Sequence, residues 1–303
     1  MRWLGILLVC AFFISCGGEK DAPGTKVIGV TLLTQSHDFF KDLEEGLQEE
    51  AAKHGYRLIV QAAEFDPTIQ ARQLEDFVVK GVDAIIVCPC DSDTVAANLK
   101  EAEEAGIPVF TADIAAKRAK IVSHIASDNY LGGKLAGEAM AKFLNGKGKV
   151  LVIDHPTVSS VQDRTRGFED ALKAFPEITI VDKPSADGQR AKAQAIMEDA
   201  LTTHADLAGV FGINDDSALG ALRAVEAAER KDIVIIGYDA TPEARTAIKR
   251  GSALKADVIQ YPRKIGSMTV ATIARHFAGE KVEALSPVEV GLVDAEALAA
   301  AER

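Results

Sequence analysis

The feature that most constrains this chain is a repeated alternation between short, unbroken apolar runs and amphipathic stretches of helical period. Residues 27–33 read VIGVTLL. A run rich in branched residues and without polar alternation marks a strand buried on both faces. Phe39, Leu43, Leu47 and Ala51 then recur every fourth residue and Gly55 follows, the pattern of an amphipathic helix with a glycine stop. Residues 57–61 give the next strand. Asp66-Pro67 supplies an N-cap and a first-turn proline to a helix ending near Gly81. Strands are expected at 83–88, 108–112 and 121–125, with a helix over 94–105. The rhythm restarts with a helix at 131–144, then a strand at 150–153, a helix at 161–174 and a strand at 178–181. A helix at 190–203, a strand at 209–212, a helix at 217–229 and a strand at 233–237 follow. A helix at 242–249, a strand at 254–259 and a helix at 263–277 complete it. Strands separated by helices of this length predict right-handed βαβ units and parallel sheets.

About ten strands are too many for one compact sheet. The α/β reading is therefore two doubly wound, Rossmann-like lobes. No low-complexity linker separates them, so they are expected to share several short crossovers, an arrangement suited to a hinge. The expected partition is 26–127 with 261–289 as one lobe and 128–260 with 290–303 as the other. Apolar residues at 48% and charged residues at 26% exclude a disordered chain and a polytopic membrane protein. The net charge of −11, with 34 basic against 45 acidic residues and aromatics at 6%, leaves no basic patch or stacking platform for nucleic acid.

The N-terminus reads as an address. One arginine is followed by an apolar run of about 12 residues, too short for a helix to cross a bilayer core of about 30 Å. It ends at Ser15-Cys16-Gly17-Gly18. A charged start, a short apolar core and a small-residue end describe an export signal, with 20–25 (KDAPGT) as a polar tether. A plain secreted protein and an uncleaved anchor are the alternatives to lipid attachment at Cys16. Beyond it, Cys88 and Cys90 remain, in Cys88-Pro89-Cys90. An oxidising compartment allows disulfides, but residues two apart close a strained ring, and a metal site would need more ligands. Two thiols at a strand end is the simpler reading. The six histidines, at 37, 54, 124, 155, 204 and 276, are scattered. His124 reads as a structural residue of a hinge strand and His54 as helix surface.

In open α/β sheets, ligands bind at the carboxyl ends of the strands. The residues there are Gln35, Ser36, His37, Asp38, Phe39 and Phe40 after the first strand, Cys88 and Asp91 after the third, and Asp113 after the fourth. Arg164 lies in the helix over 161–174. Asn214, Asp215 and Asp216, then Tyr238 and Asp239, then Gln260 follow later strands. Carboxylates, amides, one guanidinium and aromatic faces together suit a neutral polyol. Asp accepts hydroxyl hydrogens, Asn and Gln donate and accept, and Arg forks onto adjacent oxygens. Each residue taken singly has a plainer role. Asp and Asn at strand-to-helix junctions are common helix caps, with Asp215 or Asp216 expected as a cap beside Asn214. Phe39 and Phe40 serve equally as helix-start core. The polyol reading rests on the whole set falling on one rim.

Three segments carry a resemblance: SHIASDN at 123–129 followed by LGGK at 131–134, Asn214-Asp215 before ALGALR at 218–223, and GYDATP at 237–242. With the Phe39-Phe40 pair, they resemble the bacterial ribose-binding proteins and their pentose- and hexose-binding relatives. These are type I periplasmic-binding proteins that feed ABC importers and sometimes chemoreceptors. The lipobox of bacterial lipoproteins is similarly matched by Phe13-Ile14-Ser15-Cys16, with Phe13 in place of the usual leucine. The resemblance spans about Lys26 to about Val293. It implies a sugar-binding lipoprotein at the periplasm or outer face of the membrane, monomeric, without cofactor or metal. The family's ligand contacts carry over to Phe39, Phe40, Asp113, Arg164 (with Gly167-Phe168 behind it), Asn214, Tyr238, Asp239 and Gln260. Cys88 and His37 occupy two further family positions.

Four positions depart from the family. Ile114 stands where an arginine follows Asp113. Cys88 stands where an asparagine precedes proline, Gly188 where the ribose binder has a phenylalanine, and His37 or Ser36 replaces a loop asparagine. A buried hydrogen bond contributes about 0.5–1.5 kcal/mol, so these losses argue against ribose itself and for a hexose, a modified sugar or another polyol. Two other classes compete. Asp113 and Asp239 as a glycosidase acid/base pair would make an enzyme, but G-x-S-x-G, H-E-x-x-H, P-loop and G-x-G-x-x-G motifs are all lacking. A dedicated sensor of a sugar-like signal would use the same fold. A LacI-type repressor core would carry a helix-turn-helix where this chain has its export signal.

Overall fold

The computed structural model describes residues 24–301, in which twelve strands and ten helices alternate. The export signal and Cys16 lie outside the described residues. In chain order the first part runs β1 (Val27–Leu32), α1 (Asp38–His54), β2 (Arg57–Ala62), α2 (Pro67–Lys80), β3 (Ala84–Val87), α3 (Val95–Glu104), β4 (Val109–Ala112) and β5 (Ser123–Ser127). The second runs α4 (Asn129–Phe143), β6 (Lys147–Ile153), α5 (Ser159–Leu172), β7 (Glu177–Asp182), α6 (Arg190–Thr203), β8 (Leu207–Gly212), α7 (Asp215–Ala227), β9 (Val234–Asp239), α8 (Pro242–Lys249) and β10 (Leu254–Ile259). It closes with α9 (Pro262–Phe277), β11 (Leu285–Val288), β12 (Gly291–Asp294) and α10 (Ala295–Ala301).

Two six-stranded sheets result, ordered β11-β5-β4-β3-β1-β2 and β12-β10-β9-β8-β6-β7. Every pairing is parallel except β10 with β12. The strand order reverses beside β1 in one sheet and beside β6 in the other, and such switch points open a crevice at the strand ends. The chain passes from one sheet to the other after β5, after β10 and between β11 and β12.

Local chemistry sets the ends of the elements. The Asp66 carboxylate accepts from the backbone N–H groups of Thr68 and Ile69, and Pro67 opens α2. Gly55 and Gly81 end α1 and α2 at positive φ, 66° and 63°, a backbone shape that costs glycine little. Asp128 caps α4 from outside, accepting from the N–H of Leu131 at 3.0 Å, and so the helix starts two residues before its apolar pattern does. The cores follow the unbroken apolar strands. Phe168 and Phe211 stack fully buried, with ring centroids 4.5 Å apart.

Three elements have no signal in the apolar pattern: β11, β12 and α10. Both strands are half-exposed edges, and β11 contains Pro287, a residue sheets tolerate at edges. Cys88 and Cys90 are free and buried. Burial pushes both thiols up, Cys90 to about 12, so neither is a reactive thiolate.

Candidate functional site

The crevice between the two sheets holds a narrow cavity of about 40 Å³. Eight of the ten candidate ligand contacts that the family resemblance implies line it: His37, Phe39, Phe40, Asp113, Arg164, Asn214, Asp239 and Gln260. Ile114 and Gly188, two of the departures from the family, line it as well.

One wall comes from the first sheet. The loop after β1 delivers His37, and the first turn of α1 delivers Phe39 and Phe40, set edge to face with centroids 5.2 Å apart. Their readings as core and as cavity wall both hold, since they are 6% and 4% exposed and line the space. Asp113 follows β4 with φ of 62°, a strained shape for a residue with a side chain. It is 4% exposed, and its Oδ1 has no hydrogen-bond partner among the described residues. Burial pushes its carboxyl up to about 6, while Arg164 opposes the shift.

The other wall is built on the second sheet and is wired in advance. Close packing of α4 on α5 fixes Arg164: a Cβ on Gly133 would run into the Arg164 carbonyl, and one on Gly167 into that of Tyr130. The guanidinium donates from Nε to Asn129 Oδ1 and from Nη1 to the Ile213 carbonyl, each at 2.8 Å. It lies flat on the Tyr238 ring, 3.8 Å from the centroid, a stacking that suits a desolvated arginine.

Asp239 sits at the end of β9 with φ of 120°. Its Oδ1 accepts from Gln260 Nε2 at 2.6 Å and its Oδ2 from the N–H of Asp215 at 3.3 Å. Behind it, Asp215 accepts from the N–H of Thr241 at 2.7 Å and Asp257 from that of Ala240 at 3.1 Å. Burial and mutual repulsion push Asp239 and Asp257 well above the usual carboxylate range and Asp215 up in the same direction. Together the three carboxyls hold the turn that aims Asp239 at the cavity.

Three expectations are corrected. Cys88 does not reach the cavity. Its side chain is fully buried, and the loop around it is tied to α2, where Gln70 donates to the Cys88 carbonyl and accepts from the N–H of Cys90. Tyr238 does not line it either. Successive strand residues point to opposite faces, so with Asp239 turned to the cavity Tyr238 lies behind, beneath Arg164, its hydroxyl 3.3 Å from Asn129 Oδ1. The cap of α7 is Asn214, which accepts from the N–H of Ser217 at 2.9 Å, and not either aspartate. Asp215 is drawn inward by Thr241, and Asp216 is drawn outward by Arg190, whose Nε donates to it at 2.8 Å.

His155, Asn129 and Asp257 were not singled out by the sequence. Asn129 opens α4 and Asp257 lies mid-strand in β10, so neither follows a strand end. His155 does follow one, β6, and its imidazole lines the cavity. His124 is a structural strand residue, its Nδ1 2.8 Å from Thr111 Oγ1, with burial lowering its pKa to about 4. His54 is exposed and stacks on Tyr56.

The two walls also touch beyond the cavity. The N–H of Ser92 donates to the Thr157 carbonyl at 3.0 Å, that of Ser159 to Ser92 Oγ at 2.9 Å, and that of Ala115 to Ser159 Oγ at 2.9 Å. His37 Nε2 lies 3.4 Å from Asp216 Oδ2.

A family model described as a periplasmic binding protein domain matches residues 28–281. The chain belongs to the periplasmic binding protein family. It is 37% identical to the ribose import binding protein of Escherichia coli (strain K12) over 287 residues, 94% of this chain and 96% of that protein. Among solved structures, it resembles an ABC transporter periplasmic solute binding protein from Actinobacillus succinogenes 130z with bound D-allose, with a TM-score of 0.83 and 28% identity over 91% of this chain and 100% of that one. It also resembles an ABC transporter solute binding protein from Bacillus halodurans C-125 with bound myo-inositol, with a TM-score of 0.85 and 29% identity over 93% and 99%. These relatives are binding proteins of importers, the class favoured above over a glycosidase. As periplasmic binding proteins they act outside the cytoplasm.

Proposed function

We propose that this chain is the solute-binding lipoprotein of an ABC importer and that it holds an uncharged monosaccharide or small polyol in the cavity between its lobes. The observation that carries this reading is the polar group left over on each wall. Asp113 offers an unpaired carboxylate oxygen, and Gln260 an unpaired Oε1. Arg164 and Asp239 stand between them, with Phe39 and Phe40 as the apolar face. A carboxylate with no protein partner is costly to bury, and a ligand hydroxyl donating to it offsets that cost. The relatives named above, with ribose, D-allose and myo-inositol in their names or sites, support the same class.

The lobes comprise 26–127 with 261–289 and 128–260 with 290–303, and they close on the ligand about the three crossings as a hinge. Closure is a population shift: the ligand stabilises the closed form because only that form presents both walls to it. The closed form is what a membrane permease recognises. Cys16 carries the lipid that keeps the monomeric protein at the outer face of a membrane.

Thermal unfolding of the protein without its export signal, against a panel of pentoses, hexoses, cyclitols and linear polyols, tests the reading. A cognate ligand at a hundred times its Kd stabilises by about 2.7 kcal/mol, seen as a rise in midpoint of several degrees. The Asp113→Ala variant, folded by circular dichroism, loses that rise. A flat response to the whole panel, or a rise unchanged in Asp113→Ala, rejects the proposed site.

A further inference from the structure

The cavity has a corner that the rest of the site does not use. Gly188 turns at φ of +68° and presents bare backbone to the cavity, at a point where a Cβ would already press on its neighbours. A Cβ placed there would lie 3.2 Å from Asn214 Nδ2, 3.5 Å from His155 Nδ1 and 3.9 Å from His37 Cε1. The cavity wall at Gly188 is therefore made of bare backbone, an amide and two imidazoles, one imidazole from each lobe.

The groups around it differ in how they are satisfied. Asn214 is spent on the protein, accepting from Ser217 and donating from Nδ2 to the Gly188 carbonyl at 3.1 Å. His37 has Asp216 at its Nε2, which leaves Nδ1 as the acceptor when the ring is neutral. His155 is 6% exposed, and neither of its ring nitrogens has a hydrogen-bond partner among the described residues. Its backbone is held by Asp154, whose Oδ1 accepts from the His155 N–H at 2.9 Å and from Thr165 Oγ1 at 3.0 Å. The ring is thus buried and polar on an anchored backbone, and the protein leaves its nitrogens unmatched. Burial pushes its pKa down to about 4 and that of His37 in the same direction. Both rings are neutral at pH 7, each with one donor and one acceptor nitrogen.

A neutral donor–acceptor pair matches a hydroxyl, which donates once and accepts once. Two neutral rings supply no charge to pair with an anion, and Asp187 beside His155 and Asp216 beside His37 already supply negative charge. We propose that His155, with His37, is a specificity-determining residue that binds the exocyclic hydroxyl of an uncharged hexose against the bare backbone of Gly188, so that the protein prefers a hexopyranose to the pentose of the same ring configuration. This rests on the sugar-binding reading above and deepens it. A ring hydroxyl set cannot fill the corner as well as the walls. A hydroxymethyl arm reaches past the ring and supplies the one oxygen that the corner lacks.

Matched sugars test this by titration calorimetry: D-ribose with D-allose, D-xylose with D-glucose, and L-arabinose with D-galactose, plus the 6-deoxy analogue of each hexose. In the best-bound pair, the hexose is expected to bind at least tenfold tighter than both the pentose and the 6-deoxy sugar. In His155→Leu the hexose is expected to lose about tenfold, while pentose and 6-deoxy sugar stay within about twofold. Gly188→Ala, which fills the corner from the other side, is expected to lower hexose affinity in the same selective way. A pentose bound as tightly as its hexose overturns the proposal and leaves the sugar reading standing. Equal losses for all three sugars in a folded His155→Leu protein also overturn it, since they mark a general packing role. No binding by any of these sugars overturns the proposal and narrows the reading above to a cyclitol or linear polyol.

Discussion

The two walls of the cavity are made in opposite ways. The wall of the first lobe is apolar and aromatic, with one carboxylate, Asp113, standing unpaired among Leu33, Phe39, Phe40 and Ile114. The wall of the second lobe is a polar network in which Arg164, Asn129, Asp239, Gln260, Asp215 and Asp257 hold one another. One wall supplies a face, one carboxylate and the His37 imidazole, and the other supplies orientation that is already in place. A preorganised network loses little freedom on binding, so the second lobe is suited to hold a ligand first and the first lobe to complete the enclosure.

Breaking the network is expected to have the largest effect. Arg164→Ala removes the group on which Asn129, the Ile213 carbonyl and Tyr238 depend. Loss of a buried charged partner costs about 3–5 kcal/mol. Both a lower unfolding midpoint and binding weakened by more than a hundredfold are expected, by thermal unfolding and calorimetry. Binding within tenfold of wild type would show that the two walls contribute alike. Asp257→Ala, which never touches the cavity, comes next. It frees the Ala240 N–H and slackens the turn under Asp239, with an expected tenfold loss that Asp257→Asn partly restores. Phe40→Leu, on the apolar wall, keeps most of the burial and is expected to cost less than tenfold in affinity.

The pH dependence separates the walls further. Asp113 is the stronger acceptor when ionised, and its carboxyl is pushed up to about 6. Affinity is therefore expected to fall as pH drops below 6, by up to about tenfold per unit, and Asp113→Asn should flatten that fall. The fold responds with the opposite sign at this group. A carboxyl whose folded pKa is raised binds more protons folded than unfolded, so its contribution to stability grows as pH falls from 6 towards 3.8. His155 acts the other way. Its folded value near 4 against an ordinary 6.5 means that stability is lost as pH falls through that window. His155→Leu should remove that part of the acid sensitivity, about 3 kcal/mol at most, in urea unfolding at pH 7 and pH 4.5.

Much of this was legible in the residues because two local rules suffice for it. Unbroken apolar runs mark buried parallel strands, and polar residues just after them fall on the binding rim. Those rules reach Asp113, Asn214, Asp239 and Gln260. They fail where a residue acts from elsewhere. Asp257 sits inside a strand between Ala256 and Val258, with nothing in its neighbourhood to show that its carboxyl meets that of Asp215 across Gly237. Asn129 opens a helix and bonds to an arginine 35 positions away. Cys88 and Tyr238 obey the strand-end rule and still miss the cavity, because which side of the sheet a side chain takes is decided by the pleat and by what packs behind it. His155 obeyed the rule as well, but six histidines spread along a chain look alike until one of them is found without a partner.

The three crossings between the sheets have a consequence for how the molecule is made. The strands β6 to β10 lie in one unbroken stretch and can pair as soon as they are available. The first sheet cannot be finished that way. Its β5 waits for β11, and α1 waits for α9, where Arg263 meets Asp42, Glu45 and Glu49 of that helix. Those partners arrive more than 150 residues later, as Ser123 and its hydrogen-bond partner Glu283 show with a separation of 160. Closing so long a loop carries an entropic cost that local pairing does not. The lobe that leaves the ribosome first therefore cannot be completed until almost all of the chain has emerged.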